Sequence, residues 1–216
     1  MKTNKTTATK TFTELFKVIL TGDKEDSRKV AREVRKLLYS SHNGGKYDDI
    51  KKIIENAPDE YVKIAEEWRQ ENFVMAVSVL YFLHDKESRP DFLFPWLFHL
   101  LQHEKGNIRY AAVRMLGNEL GPLTVHIRCP DYKQSKLKSE RSDFILQNLY
   151  IALNNLLVDL WEPKYKKYKY VSSLPSGSYK SIQMVLSRLE YDCEEQYMIK
   201  LRQKLNICSP ASIPVP

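Results

Sequence analysis

Phe94 to Gly117, FPWLFHLLQHEKGNIRYAAVRMLG, is the stretch that decides how this chain folds. It opens on an almost wholly apolar run carrying Pro95, which has no N–H to donate and is tolerated only in the first turn of a helix, so a regular helix begins near that proline. A short polar break, Gln102 to Gly106, follows. Asn107 then offers an N-cap, and Ile108, Ala111, Ala112, Met115, Leu116 and Leu120 recur at helical spacing until Gly121-Pro122. Two helices with so short a connection pack as an antiparallel hairpin.

The same reading extends upstream. Phe12, Leu15, Phe16, Ile19 and Leu20 mark one helical face behind a capping box formed by Thr11 and Glu14. A second helix follows Asp23 to Asp26, carries Val30, Val34, Leu37 and Leu38, and stops before the turn signal Asn43-Gly44-Gly45. Tyr47, Ile50, Ile53 and Ile54 predict a third. Pro58 ends it and begins a fourth with Tyr61, Ile64, Ala65 and Trp68. Phe73, Ala76, Val77, Val79, Leu80, Tyr81 and Leu83 cover more than one face, which predicts a helix buried between neighbours.

Downstream, the apolar period is lost from Pro122 to about Arg141, a basic loop with a turn at Cys129-Pro130-Asp131-Tyr132. Ser142 is the expected cap of the longest helix, with Ile145, Leu149, Leu153, Leu156 and Leu160 inward and a stop at Pro163. A second basic loop, Lys164 to Gly177, leads to a helix with Ile182, Val185, Leu186 and Leu189. Asp192 with Glu195 opens a final one carrying Tyr197, Leu201 and Leu205. The expected organisation is a disordered 1–10, one helical-repeat domain over 11–208, and a disordered Pro-rich 209–216.

Composition agrees with this pattern. Glycine is only 7 of 216 residues and 43% are apolar, a profile that disfavours β-sandwiches rich in tight hairpins. No apolar run reaches the roughly 18 residues a bilayer span needs, and the lysines of the first eleven residues have no hydrophobic stretch behind them. Cys129, Cys193 and Cys208 stand at unrelated spacings, as reduced thiols do, so the expected location is cytoplasmic. Of the net charge of +7, residues 106 to 216 carry nearly all, with 16 basic and 10 acidic side chains.

The opening stretch as a whole resembles a HEAT repeat. In that family a proline-containing helix precedes a second helix of the form apolar-Arg-x-x-Ala-x-x-x-Leu-Gly, and Ile108, Arg109, Ala112, Leu116 and Gly117 match it. The resemblance covers residues 94–121. Ala76 and Leu80 stand 36 residues before Ala112 and Leu116, close to the family's period, although this earlier copy lacks the Arg and the Gly. The resemblance implies an all-α fold of stacked antiparallel helical hairpins, an α-solenoid or α-α superhelix. A small Ala lets helices approach, and Arg109 is placed to satisfy a neighbouring helix end or a carboxylate.

Candidate sites follow from the charge. Arg128, Lys133, Lys136, Lys138 and Arg141 form one basic stretch, and Lys164, Tyr165, Lys166, Lys167, Tyr168, Lys169 and Tyr170 form another. Lysines neutralise phosphates or carboxylates, and tyrosines stack on bases, so the second run is a candidate nucleic-acid or anion contact. His99 and His103 have metal-ligand spacing, but Gln102 replaces the general base of the His-x-x-Glu-His pattern and no third ligand is evident. No phosphate loop, dinucleotide fingerprint or Gly-x-Ser-x-Gly occurs, so no cofactor, metal or catalytic residue is expected.

One HEAT-like enzyme family, the alkylpurine DNA glycosylases of the AlkD type, is similar in size, helix content and charge. Its Trp-x-x-x-Asp arrangement is missing here: Trp68, Trp96 and Trp161 are followed at that distance by Asn72, Leu100 and Tyr165. The expected function is therefore a non-catalytic scaffold for a protein partner, with nucleic-acid binding, and DNA repair as its catalytic extreme, as the alternative.

Overall fold

The computed structural model describes residues 11–38, 47–83, 89–132, 135 and 137–205. Among them are ten α-helices and no strand, and no helix is long and apolar enough to cross a membrane. The Gly44-Gly45 turn, both termini, His84, Lys133, Lys136 and Cys208 lie outside the described residues. The chain divides into two compact units, residues 1–84 and 85–216.

The first unit comprises α1 (Phe12–Thr21), α2 (Lys24–Leu38), α3 (Tyr47–Glu55), α4 (Ala57–Tyr61) and α5 (Glu67–Leu80), with a 3-10 turn over Tyr81–Leu83. The capping box forms as its spacing predicts: Thr11 Oγ1 accepts from the Glu14 N–H at 3.2 Å, and the Thr11 N–H donates to Glu14 Oε2 at 2.8 Å. Helix α5 packs against α1, α2, α3 and α4, the central position its all-round apolar sequence predicts. Phe73, Val74, Ala76, Val77 and Leu80 are buried, and Phe73 meets Phe16 edge-to-face at 5.8 Å.

Gly22 ends α1 because the chain comes too close there for a side chain. A Cβ would lie 2.7 Å from the Val18 carbonyl oxygen that the Gly22 N–H bonds. The expected fourth helix is divided. Helix α4 stops at Tyr61, short i,i+3 bonds tighten the chain at Lys63 and Ile64, and Gln70 Nε2 donates to the Ile64 carbonyl at 2.8 Å. Trp68 accordingly belongs to α5.

The second unit comprises α6 (Phe94–Leu101), α7 (Gly106–Leu123), α8 (Val125–Arg128), α9 (Ser139–Asp159) and α10 (Ser178–Lys204). Pro95 sits in the first turn of α6, as the sequence requires. Helix α7 packs on α6, α9 and α10, and its Ile108, Ala111, Ala112, Met115, Leu116 and Leu120 are buried. It begins two residues earlier than a cap at Asn107 would give, because the Arg109 N–H closes the first turn on the Lys105 carbonyl. It also runs through Pro122. Near its end the Leu120 carbonyl accepts both the Thr124 N–H at 3.0 Å and Thr124 Oγ1 at 2.7 Å, and Arg128 Nη2 donates to the Gly121 carbonyl at 3.0 Å.

The expected twenty-residue loop is thus shorter, with α8 inside it. Ser142 is buried within α9 instead of capping it, since its N–H bonds the Lys138 carbonyl one turn back. Helix α10 breaks at Glu194, two residues after Asp192, where the sequence predicts the final helix to open; Asp192 itself is buried ahead of the break and accepts from Arg188 Nε at 2.7 Å. Glu194 has φ 59° and ψ 157°, a region essentially reserved for glycine that costs on the order of 1–3 kcal/mol. What offsets that strain is the return of the chain on itself. Glu190 and Arg202, which a straight helix would hold about 18 Å apart, form an ion pair at 2.6 Å.

Candidate functional site

The Lys164–Tyr170 run is held in a defined shape. Pro163–Lys167 and Val171–Ser173 are 3-10 turns, and Val171 and Leu174 are buried anchors. Lys180, in the first turn of α10, donates to the carbonyls of Ser172 at 2.8 Å and Leu174 at 2.9 Å. The Tyr165 ring lies flat on Tyr179 at 4.2 Å, and its hydroxyl donates to Glu162.

Within this frame the lysines differ. Lys164 Nζ bonds Glu162 Oε2 at 2.8 Å, which raises the ammonium pKa and lowers that of the carboxyl. Lys166, Lys167 and Lys169 are exposed and form no ion pair among the described residues. The ammonium groups of Lys167 and Lys169 lie over the neighbouring rings of Tyr168 and Tyr170 at 5.2 and 5.3 Å. The loop therefore offers three available cations backed by two partly exposed rings.

The other basic stretch is arranged differently. Arg128 is spent on the end of α7, with Nε donating to Thr124 Oγ1 at 3.0 Å and Nη2 to Gly121 O. Arg141 Nη2 pairs with Asp91 at 3.0 Å, and Lys138 is exposed at the start of α9. Among the described residues, no hydrogen bond, ion pair or ring contact joins this stretch to Lys164–Tyr170.

Folding also assembles a cluster that the sequence does not announce. Asp143 Oδ1 accepts from the Tyr197 hydroxyl at 2.6 Å and lies 2.9 Å from His126 Nε2, so one carboxylate oxygen ties α8, α9 and the last segment of α10. Burial, and then the hydrogen bond to Asp143, push the Tyr197 hydroxyl above its ordinary pKa. Burial also raises the neighbouring Cys193 thiol to about 12, which keeps it protonated and inert near neutrality. Asp143 and Tyr197 stand 54 residues apart, and no spacing rule connects them.

His103 Nδ1 accepts the Lys105 N–H at 2.9 Å and so shapes the α6–α7 connection. Among the described residues, no group of three His, Cys, Asp or Glu side chains is placed to hold a metal ion. Cys129 is exposed and Cys193 is buried, both as free thiols. No family model, no curated protein and no solved structure matches the chain.

Proposed function

We propose that the protein is a non-catalytic helical scaffold of the stacked-hairpin, HEAT-like kind, which binds an acidic segment of a protein partner on the loop Lys164–Tyr170. The observation that carries this reading is the combination of exposed Lys166, Lys167 and Lys169, which form no ion pair among the described residues, with a backbone tied by Lys180 and the Tyr165–Tyr179 stack. A loop ordered before binding loses less entropy on binding, and unpaired lysines supply charge complementarity and a fast encounter.

Nucleic acid is the second reading, favoured by the interleaved tyrosines. It is weakened by Tyr165, whose face is already taken by Tyr179. Fluorescence anisotropy separates the two, using the full chain, a labelled Asp/Glu-rich peptide, and single-stranded and duplex oligonucleotides over roughly 50–200 mM salt. Peptide binding that disappears when Lys166, Lys167 and Lys169 become Gln supports the scaffold reading. Tighter, steeply salt-dependent binding of the oligonucleotides moves the assignment to nucleic acid.

A further inference from the structure

Two arginines occupy equivalent places at the starts of α5 and α7. Arg69 uses Nη1 to donate to the carbonyls of Ile19, at 3.2 Å, and Gly22, at 2.9 Å, closing the end of α1. Arg109 uses Nη1 in the same way, donating to the carbonyls of His103 at 2.7 Å and Glu104 at 2.6 Å beyond the end of α6. In both cases the opposite edge of the guanidinium, Nε with Nη2, remains for a second partner. This is the edge that grips an oxyanion with two parallel hydrogen bonds.

The two edges meet different neighbours. On Arg69, Nε donates to Glu66 Oε2 at 3.2 Å and Nη2 approaches Oε1 at 3.5 Å, so a carboxylate three residues earlier fills the fork. Three residues before Arg109 stands Gly106, whose Cβ, if present, would lie 3.6 Å from Nη2. Arg109 is only 7% exposed, and among the described residues its Nε is buried without a hydrogen-bond partner and Nη2 has one long bond, 3.3 Å, to Ser176 Oγ. A buried guanidinium without a counter-anion is unfavourable, and this one faces further positive potential. Ser176 immediately precedes Gly177, the N-cap residue of α10, where no side chain caps the helix.

The geometry points to a binding site for a phosphate group, formed by the Nε/Nη2 edge of Arg109, the Ser176 hydroxyl and the first amides of α10. The Arg109 edge meets the Ser176 hydroxyl at 3.3 Å beside the start of α10, so a phosphate can take the arginine fork on two oxygens while a third accepts from the hydroxyl and the first helix amides. The inference does not rest on the acidic-partner reading, since it employs none of Lys166, Lys167 and Lys169.

The test compares thermal unfolding and amide chemical shifts of the full chain in sodium phosphate and in sodium chloride of equal ionic strength. O-phosphoserine serves as a second probe, for a phosphate monoester. Expected are a rise in Tm of about 5 °C at about one hundred times the Kd, and amide shifts confined to Ser176 to Lys180. Tighter binding of O-phosphoserine than of inorganic phosphate identifies the terminal group of a larger ligand; the reverse order identifies free phosphate.

Gly106→Glu, which copies the Glu66 arrangement, should raise Tm in chloride and abolish the phosphate response. Ser176→Asp should do the same by a separate route, so the test survives if either variant fails to fold. Changing Lys166, Lys167 and Lys169 to Gln should leave the phosphate response intact. Equal Tm in the two salts overturns the proposal. So does a phosphate response that persists in Gly106→Glu and Ser176→Asp or vanishes in the lysine variant.

Discussion

Helices α5 and α7 share a sequence pattern and an arginine device, yet the two do not coincide in register. Matching Ala76 with Ala112 and Leu80 with Leu116 sets Phe73 opposite Arg109, so the aligned position of α5 carries no arginine. In the folded unit the same job falls to Arg69, one turn earlier on α5, which reaches back to the carbonyls of α1. What a packed hairpin requires is a guanidinium near orphaned carbonyls, and several positions in a helix's first turn can supply it. The pattern that recurs is the buried Ala and Leu, because a helix crossing fixes where small and large residues belong.

The largest effects test whether the shared core positions are equivalent. Leu80 and Leu116 are both fully buried, so Leu80→Ala and Leu116→Ala should each cost about 2–5 kcal/mol. Urea unfolding measures both, and a difference beyond that range would show that the aligned leucines play different parts. The arginines should then separate. Arg69→Met forfeits two carbonyl bonds and the Glu66 pairing, an expected loss of about 2 kcal/mol, whereas Arg109→Met also removes an uncompensated buried charge and should cost about 1 kcal/mol. A greater cost at Arg109 would mean that its fork already has a strong partner.

Alkaline pH provides a third contrast between the units. Cys193 in the second unit rises from an ordinary 9.0 to about 12, so above pH 9 the unfolded chain releases a proton that the native state keeps. The unfolded state then binds fewer protons, and stability falls as pH rises from about 9 towards 12. Tyr197 adds to this loss above its ordinary 10.0, and in the first unit burial raises Tyr61 above the same value, so that unit should begin to weaken later. Stability followed across this range in Cys193→Ala should lose the onset near pH 9 and keep the later decline.

The smallest effect concerns the glycines of α7, which α5 lacks. A Cβ at Gly117 or Gly121 would meet nothing within 4 Å, so Gly117→Ala should stabilise by about 0.5–1 kcal/mol, read from the urea midpoint. A loss of stability would reveal a close approach at Gly117.

Much of the architecture was legible in the residues themselves. The Thr11 cap, the Pro95 start, the burial of α5 and the division of the last helical stretch near Glu194 follow from backbone chemistry and local periodicity. Helix ends were less legible where distant side chains intervene. Helix α7 runs through Pro122, with Thr124 and Arg128 bonding the carbonyls of Leu120 and Gly121 at its end, and Ser142 is buried because α9 begins a turn earlier. Of the charged candidates, sequence alone could not separate Arg128 and Arg141, which have hydrogen-bond or ion-pair partners, from Lys166, Lys167 and Lys169, which form no ion pair among the described residues.

The sequence by itself determined an all-helical chain and a basic second half, since helical periodicity, caps and charge are properties of neighbouring residues. Only the tertiary structure decided which cations have partners. The carboxylate on Arg69 comes from its own helix end and the carbonyls from a helix nearly fifty residues earlier, while Arg109 meets Ser176 from 67 residues later. The physical reason is that hydrogen bonding and charge compensation act over a few ångströms of space, and chain separation says little about which groups arrive within that range.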